Sequence, residues 1–185
     1  MSMKVEKTTM PEVLILTPKV FDDERGFFLE SYNQNIFEDA GISLEFVQDN
    51  HSRSCQGVIR GLHFQKKNPQ GKLVRCIQGE ILDVVVDIRI GSPTFGHNVC
   101  VKLNQENKKL VWVPPGLAHG YSVLSETSEI LYKVTDYYNP QDEAGIRWND
   151  PELVIDWQVN NPQLSKKDQD LPLFQKAMRS LSQST

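Results

Sequence analysis

The chain has 185 residues and a mass of 21.1 kDa, which is enough for one well-buried core and short for two domains. Its 20 basic and 24 acidic residues leave a formal net charge of -4, whereas a nucleic-acid scaffold normally carries a basic excess. With 39% hydrophobic and 24% charged residues, the composition is ordinary for a soluble globular protein.

Neither export nor covalent cross-linking is indicated by the sequence. The apolar run at residues 13–16 is too short for the hydrophobic region of a secretory signal, and no segment approaches transmembrane length. Cys55, Cys76 and Cys100 lie far apart without a CxxC pair, which argues against a disulfide framework and a thiolate zinc site. We therefore predict a cytoplasmic protein with reduced thiols, no membrane contact and no nucleic-acid partner.

Short apolar or alternating segments follow one another along the chain, mostly bounded by Gly, Pro, Asn or Asp, as is typical of an all-β sandwich or barrel. In the clearest one, residues 80–89, Leu82, Val84 and Val86 fall on one face. The opposite face mixes Asp83 and Asp87 with aliphatic residues, as an inward face around a polar cavity could. The predicted strand segments are 13–16, 27–32, 45–48, 57–64, 73–77, 80–90, 98–103, 110–113, 120–124 and 129–138.

Helical signals are few and lie at the margins. Residues 33–40 predict a short helix closed by Gly41, Ser165 predicts a capped turn, and residues 173–181 predict a terminal helix. The strand count favours a jelly roll. We predict a single all-β jelly-roll barrel domain over residues 1–185, with a C-terminal extension at about residues 160–185.

Two short motifs are similar to those of the cupin superfamily: Gly57 followed by His63, and the PPGLAH segment that ends at His119. A metal-binding cupin has an HxH pair and a carboxylate in the first motif, where this chain has Gln65 and Gln70. With only His63 and His119 left of that ligand set, we predict no metal site. Chemistry in such a cavity would then use protons.

A longer series of ordered blocks covers nearly the whole chain. The blocks are DERGFFLESY, FVQDNHS, VIRGLHFQ, PQGKLVRCIQGEILDVVVDIR, PPGLAHGY, YKVTDYYNPQDEAGIRWNDPELVIDW and LSKKDQDLP. Together they resemble the dTDP-4-dehydrorhamnose 3,5-epimerase family. The departures are small: Gln158 follows Trp157 where the family often has Pro, and the tail beyond Pro172 is not diagnostic.

The resemblance implies a cupin-type jelly roll that converts dTDP-4-dehydro-6-deoxy-D-glucose to dTDP-4-dehydro-L-rhamnose. The expected use is rhamnose supply for cell-surface polysaccharide, with an antibiotic deoxysugar as the alternative. The C4 ketone acidifies the protons at C3 and C5, because either carbanion delocalises into the carbonyl oxygen. Inverting those centres needs a base on one face, an acid on the other and a cation near the oxygen. No cofactor is required.

The same resemblance assigns these roles. His63 is the implied base, because neutral imidazole accepts protons near physiological pH, and a Lys-Asp dipeptide selects Asp168 over Asp170 as its carboxylate partner. Tyr132 is the implied acid. Lys72 is the implied cation for the enolate oxygen.

Strand geometry adds two expectations. Strict alternation along residues 130–138 puts Tyr132 on the same side as Tyr138, the implied stacking partner of the thymine. Arg60 could serve the enolate oxygen or the diphosphate. Because alternation would place Arg60 and His63 on opposite faces, we expect a bulge or kink at Gly61.

Further positions match ligand contacts of the family, and some come from the neighbouring subunit, so we expect a homodimer. His119 would touch the sugar or the phosphate, or remain from an ancestral metal site. Asp83 shows no partner in the sequence and stays outside the predicted site, and His51 and His97 are expected in loops or at the surface. The implied nucleotide contacts are Arg25, Glu30, Gln48 and Asn50, and the other ligand contacts are His119, Glu143 and Lys167.

Two other functional classes stay open. A metal-dependent cupin, such as a dioxygenase or a sugar isomerase, would contain stoichiometric metal. A non-catalytic sugar-binding cupin would bind its ligand without solvent exchange. Among epimerases, some relatives invert C3 alone or isomerise the ring differently, and the presence of Tyr132 as a proton donor favours double inversion.

Overall fold

The structure is a computed structural model that describes residues 3–183. Strands dominate it, which confirms the all-β prediction. The strands are β1 (Met3–Lys7), β2 (Leu14–Pro18), β3 (Val20–Asp23), β4 (Gly26–Leu29), β5 (Gln48–Cys55), β6 (Ile59–Gln65), β7 (Lys72–Gln78), β8 (Glu80–Asp87), β9 (Asn98–Asn104), β10 (Leu110–Val113), β11 (Leu117–Val123), β12 (Thr127–Val134) and β13 (Glu143–Gly145). The helices are α1 (Gln34–Asp39), α2 (Lys166–Gln169) and α3 (Phe174–Ser182).

Two antiparallel sheets form the jelly roll. The first has the order β1-β2-β10-β7-β12-β5 and the second β13-β6-β11-β8-β9, while β3 and β4 form a separate hairpin. One hydrophobic cluster contains residues of both sheets, among them Val74 and Ile130 from the first and Ile81 and Val85 from the second. The two sheets therefore pack face to face.

Each sheet also has a covered outer face. Leu82, Val84 and Val86 of β8 belong to a second cluster that includes Trp157 of the C-terminal segment and Phe174 of α3. The alternation predicted for residues 80–89 is thus confirmed. Its consequence is that Asp83, in phase with Ile81 and Val85, lies on the face between the sheets.

The predicted helices are confirmed. Asn33 caps α1 by accepting from the backbone N–H of Asn35, and Gly41 follows the helix with a φ of +86°. Ser165 caps α2 by accepting from the N–H of Asp168. Residues 184–185 of the predicted C-terminal extension, and residues 1–2 of the predicted domain, lie outside the described residues. Across residues 3–183, no helix has the length and apolar character needed to cross a membrane.

Three strand predictions were wrong in extent. The segment 27–32 is a strand only to Leu29, and the strand expected at 45–48 instead runs from Gln48 to Cys55. That strand, β5, lies at the edge of its sheet and is polar, so its hydrophobic pattern is weak. The segment 129–138 ends as a strand at Val134, because the chain bends where Gln70 Nε2 donates to the carbonyl of Asp136.

Candidate active site

A cavity of about 110 Å³ opens between the two sheets. Its lining includes Lys72 of β7 and Tyr132 of β12 from the first sheet, and His63 of β6 from the second. Residues that the sequence separates widely are therefore brought together by the sheet pairing. The full lining is Gln48, Asn50, His63, Phe64, Gln65, Gln70, Lys72, Tyr132, Tyr138 and Glu143.

His63 is held by the carboxylate that the sequence predicted. Its Nε2 lies 2.5 Å from Oδ1 of Asp168, whose side chain is 6% exposed. The hydroxyl of Ser165 donates to Oδ2 of Asp168 at 2.9 Å. Burial raises the pKa of Asp168, but the hydrogen bond and charge of His63 and the Ser165 hydroxyl outweigh it, so the pKa lies below its ordinary value. An ionised Asp168 fixes the proton of His63 on Nε2 and leaves Nδ1 as the acceptor.

The bulge expected at Gly61 is present. His63 pairs with His119 and Arg60 with Tyr121, so β6 contains one more residue than β11 over this stretch. His63 and Arg60 consequently face the same side of the sheet. Gly61 has a φ of +122°, and a Cβ added there would lie 2.6 Å from Cα of Gly120. Only glycine fits this close approach of the two strands.

Tyr132 faces the cavity from the opposite sheet. Its Cα pairs with Asn50 of β5 and Val74 of β7, and its ring packs against the inter-sheet core. Burial raises the pKa of Tyr132, the nearby Tyr121 and Glu143 add to the rise, and Arg60 opposes it. The phenol therefore keeps its proton at neutral pH and can donate it.

Lys72 supplies a cation to the cavity, and its pKa lies below the ordinary value of a lysine. Burial lowers its pKa to about 8, and the carboxylates of Asp83 and Glu143 oppose that fall. Its ammonium makes no hydrogen bond within the described part of the chain. This leaves its three protons for a bound anion or a developing oxyanion.

One rim of the cavity is a cluster around Glu143. Tyr138 donates its hydroxyl proton to Oε2 of Glu143 at 2.5 Å, and the Lys167 ammonium donates to the same oxygen. Burial raises the pKa of Glu143, but Lys167 and Tyr138 outweigh it, and the pKa lies below its ordinary value. Tyr138 follows β12 in a loop, so the prediction that strand alternation places it beside Tyr132 was wrong. It reaches the cavity through this loop instead.

Amide side chains also line the cavity next to this cluster. Gln48 Nε2 donates to Oδ1 of Asn50, and Oε1 of Gln48 accepts from the backbone N–H of Tyr138. Gln65 and Gln70 also line the cavity, although neither was predicted to belong to the site. Gln65 donates to the carbonyls of Asn68 and Tyr137, so it ties two loops together.

The remaining predicted residues do not line this cavity. His119 is 8% exposed, and its Nε2 lies 2.8 Å from Oδ2 of Asp83. Arg60 donates to the hydroxyl of Ser54. Arg25 is in the β3–β4 turn, where it pairs with Asp23, and its side chain is 90% exposed.

Glu30 is the last residue of the predicted site, and His51 was expected outside it. Glu30 follows β4, and its Oε1 is buried without a hydrogen-bond partner among residues 3–183. His51 has an exposed side chain paired with Glu129, as expected of a surface residue. Within residues 3–183, no group of three or more His, Cys, Asp or Glu side chains is arranged to hold a metal ion.

Comparison with known proteins identifies the family. The family model described as dTDP-4-dehydrorhamnose 3,5-epimerase matches residues 7–176. The dTDP-4-dehydrorhamnose 3,5-epimerase of Salmonella typhimurium is 56% identical over 179 residues, covering 95% of this chain and 98% of that protein. The enzyme of the same name from Shigella flexneri is 56% identical over 168 residues, covering 90% and 93% of the two chains.

Solved structures agree. The crystal structure of dTDP-6-deoxy-D-glucose-3,5-epimerase from Legionella pneumophila, in complex with dTDP-4-keto-L-rhamnose, superposes with a TM-score of 0.95. It is 48% identical in sequence, and the match covers 97% of each chain. With the match of the family model and two relatives above half identity, the chain belongs to the dTDP-4-dehydrorhamnose 3,5-epimerase family.

Proposed function

We propose that the protein epimerises dTDP-4-dehydro-6-deoxy-D-glucose at C3 and C5, giving dTDP-4-dehydro-L-rhamnose. The observation that carries the proposal is one cavity lined by His63 from the second sheet and the Tyr132 phenol from the first, with Asp168 of α2 bonded to His63. Such an arrangement presents a base and an acid to opposite sides of a bound ring. Membership of the epimerase family supplies the substrate.

The first step is proton abstraction. Nδ1 of His63 takes the proton from a carbon next to the C4 ketone, while Asp168 stabilises the imidazolium that forms. The electron pair of the broken C–H bond moves into the carbonyl and gives an enolate. The Lys72 ammonium stabilises the negative charge on the C4 oxygen.

The second step is reprotonation. Tyr132 donates its phenolic proton to the opposite face of the same carbon, so the enolate collapses to the ketone with inverted configuration. A proton from solvent then restores Tyr132, and His63 loses its own proton to solvent. Neither step transfers electrons to an external acceptor, and we propose that the reaction uses no metal and no cofactor.

The remaining predicted residues bind the rest of the ligand in this proposal. Tyr138 stacks on the thymine, and Arg60 and His119 contact the diphosphate or the sugar. Gln48 and Asn50, which line the cavity, contact the nucleotide. Glu143 and Lys167 make further contacts with the ligand. Arg25 and Glu30 contact the nucleotide.

We propose a homodimer because Arg25 and Glu30 lie away from the cavity of their own chain. They belong to or follow the β3–β4 hairpin, on which the exposed fractions of Phe27 and Phe28 are 56% and 59%. An exposed aromatic hairpin of this kind is suited to docking on a second copy. In such a dimer, Arg25 and Glu30 of one chain would contact the nucleotide bound in the cavity of the other chain. We further propose that the chain is one domain and acts in the cytoplasm.

The experiment is solvent exchange. The protein is incubated with dTDP-4-dehydro-6-deoxyglucose in heavy water, and the sugar is followed by NMR. Deuterium should enter at C3 and at C5 with formation of the L-rhamno product, and His63→Ala should lose nearly all incorporation. The control is His51→Ala, an exposed histidine on β5, which should retain wild-type exchange.

Each other outcome has a definite meaning. The absence of exchange at both carbons in the wild-type protein would contradict the epimerase proposal and leave a binding role. Exchange at C3 alone would restrict the enzyme to a single centre. Exchange that requires added iron, manganese or zinc would favour the metal-dependent class.

A further inference from the structure

Asp83 is a buried carboxylate for which the steps above give no role. It is 0% exposed and lies on the face of β8 between the sheets. Its Oδ2 is bonded to Nε2 of His119, while its Oδ1 is buried and has no hydrogen-bond partner among residues 3–183. A buried charge is costly unless it is paired. We therefore expect a cation or a hydrogen-bond donor to stabilise Oδ1 of Asp83.

The cation that we assign to that oxygen is Lys72, which lies beyond direct ion-pair distance of it and acts on it through charge. Its side chain comes from the facing sheet and lines the cavity, and its ammonium makes no hydrogen bond inside the described region. Among the charged groups that stabilise the protonated form of Lys72, Asp83 has the largest effect and Glu143 the next.

The other two carboxylates near the cavity already accept hydrogen bonds from two side chains each. Glu143 accepts from Tyr138 and Lys167, and Asp168 is bonded to His63 and Ser165. Of the three, only Asp83 has a buried oxygen without a hydrogen-bond partner among residues 3–183. The titratable or charged groups around this region are Arg60 and His63 on β6, Lys72 on β7, Cys100 on β9, His119 and Tyr121 on β11, Tyr132 on β12, Glu143 on β13, and Lys167 and Asp168 on α2.

We propose that Asp83 is a positioning residue of the epimerase reaction: Oδ2 fixes the ring of His119, and Oδ1 is the buried counter-charge of the Lys72 ammonium. The carboxylate does not touch the sugar. It acts through Lys72, which it keeps protonated and directed at the C4 oxygen, and through His119. The inference rests on the proposed function and names a residue that the family resemblance did not assign.

The test is Asp83→Asn, which keeps the shape of the side chain and removes its charge. Loss of a negative charge close to an ammonium lowers the pKa of that ammonium by about one unit or more. The high-pH limb of kcat should therefore move down by about one pH unit. NMR titration of the Lys72 side chain, with lysine labelled at Cε, should show the same shift without any substrate.

Two comparisons separate this effect from damage to the fold. Asp87→Asn removes another fully buried carboxylate of β8, one that bonds Arg89, Ser92 and Thr94, and should leave the Lys72 titration unchanged. Asp83→Ser repeats the experiment if the asparagine variant does not fold, because both substitutions remove the same charge.

An unshifted Lys72 titration in folded Asp83→Asn would overturn the inference, even if the wild-type protein is an active epimerase. An inactive wild-type protein would instead contradict the proposed function, and the NMR titration would still decide whether Asp83 and Lys72 are coupled. A shift in Asp87→Asn equal to that in Asp83→Asn would also overturn the inference, because the effect would then be general.

Discussion

Replacing Asp168 by Asn tests how much the carboxylate contributes to the basicity of His63. The substitution keeps the size of the side chain but removes the charge that accepts from Nε2 at 2.5 Å. A hydrogen bond between charged groups contributes about 1.5–3 kcal/mol. If that contribution is gained when the imidazolium forms, and each 1.36 kcal/mol is tenfold in rate, kcat should fall by about 10- to 160-fold.

The same helix provides the control. Asp170 is the C-cap residue of α2, with an exposed side chain paired to Lys166 across i and i+4. Exposed pairs of this kind contribute little, so Asp170→Asn should leave kcat within twofold of wild type. Rates are measured by NMR of the product, with near-ultraviolet circular dichroism to verify folding. A folded Asp168→Asn enzyme with wild-type kcat, or an Asp170→Asn enzyme that is equally impaired, would refute the assignment of Asp168.

Three more predictions concern the cavity and the strand that supports it. The pKa of Lys72 is lowered from 10.5 to about 8, and its protonated form is the active one, so kcat should fall as pH rises through about 8. A flat profile of kcat from pH 7 to pH 10 would contradict this role. Tyr132→Phe should preserve deuterium exchange better than inversion, because only reprotonation loses its donor. If the NMR assay shows equal losses of exchange and of inversion, Tyr132 is a positioning residue instead. Gly61→Ala should reduce the free energy of unfolding, measured by urea titration, by about 1–3 kcal/mol. The reason is that the added Cβ would lie 2.6 Å from Cα of Gly120. Unchanged stability would show that β6 and β11 can move apart at this point.

Much of the site could be predicted because its residues occur in local motifs. His63 and Tyr132 fell in predicted strands and Lys72 directly before one, the family resemblance assigned their roles, and all three line one cavity. Asp168 was selected by a dipeptide signature and is bonded to His63. The bulge at Gly61 followed from the requirement that Arg60 and His63 share a face.

What the sequence did not reveal depends on contacts between distant segments. The partner of Asp83 is His119 on another strand, and no local pattern encodes that pairing. Tyr138 was assigned to a strand because alternation continues past Val134, whereas the chain bends at Asp136 under contacts from a separate loop. The edge strand β5 has little hydrophobic signal because one side of an edge strand is unpaired.

The central claim is that His63 and Tyr132 act on opposite faces of the sugar. A crystal structure of the protein with a bound dTDP-4-keto-6-deoxy sugar tests it most directly. We predict that Nδ1 of His63 and the Tyr132 oxygen approach opposite faces of the hexose, each at about 3–3.5 Å from the reacting carbons, with the Lys72 ammonium at the C4 oxygen. A complex in which both groups lie on one face, or in which the hexose is bound outside the cavity between the sheets, would contradict the mechanism.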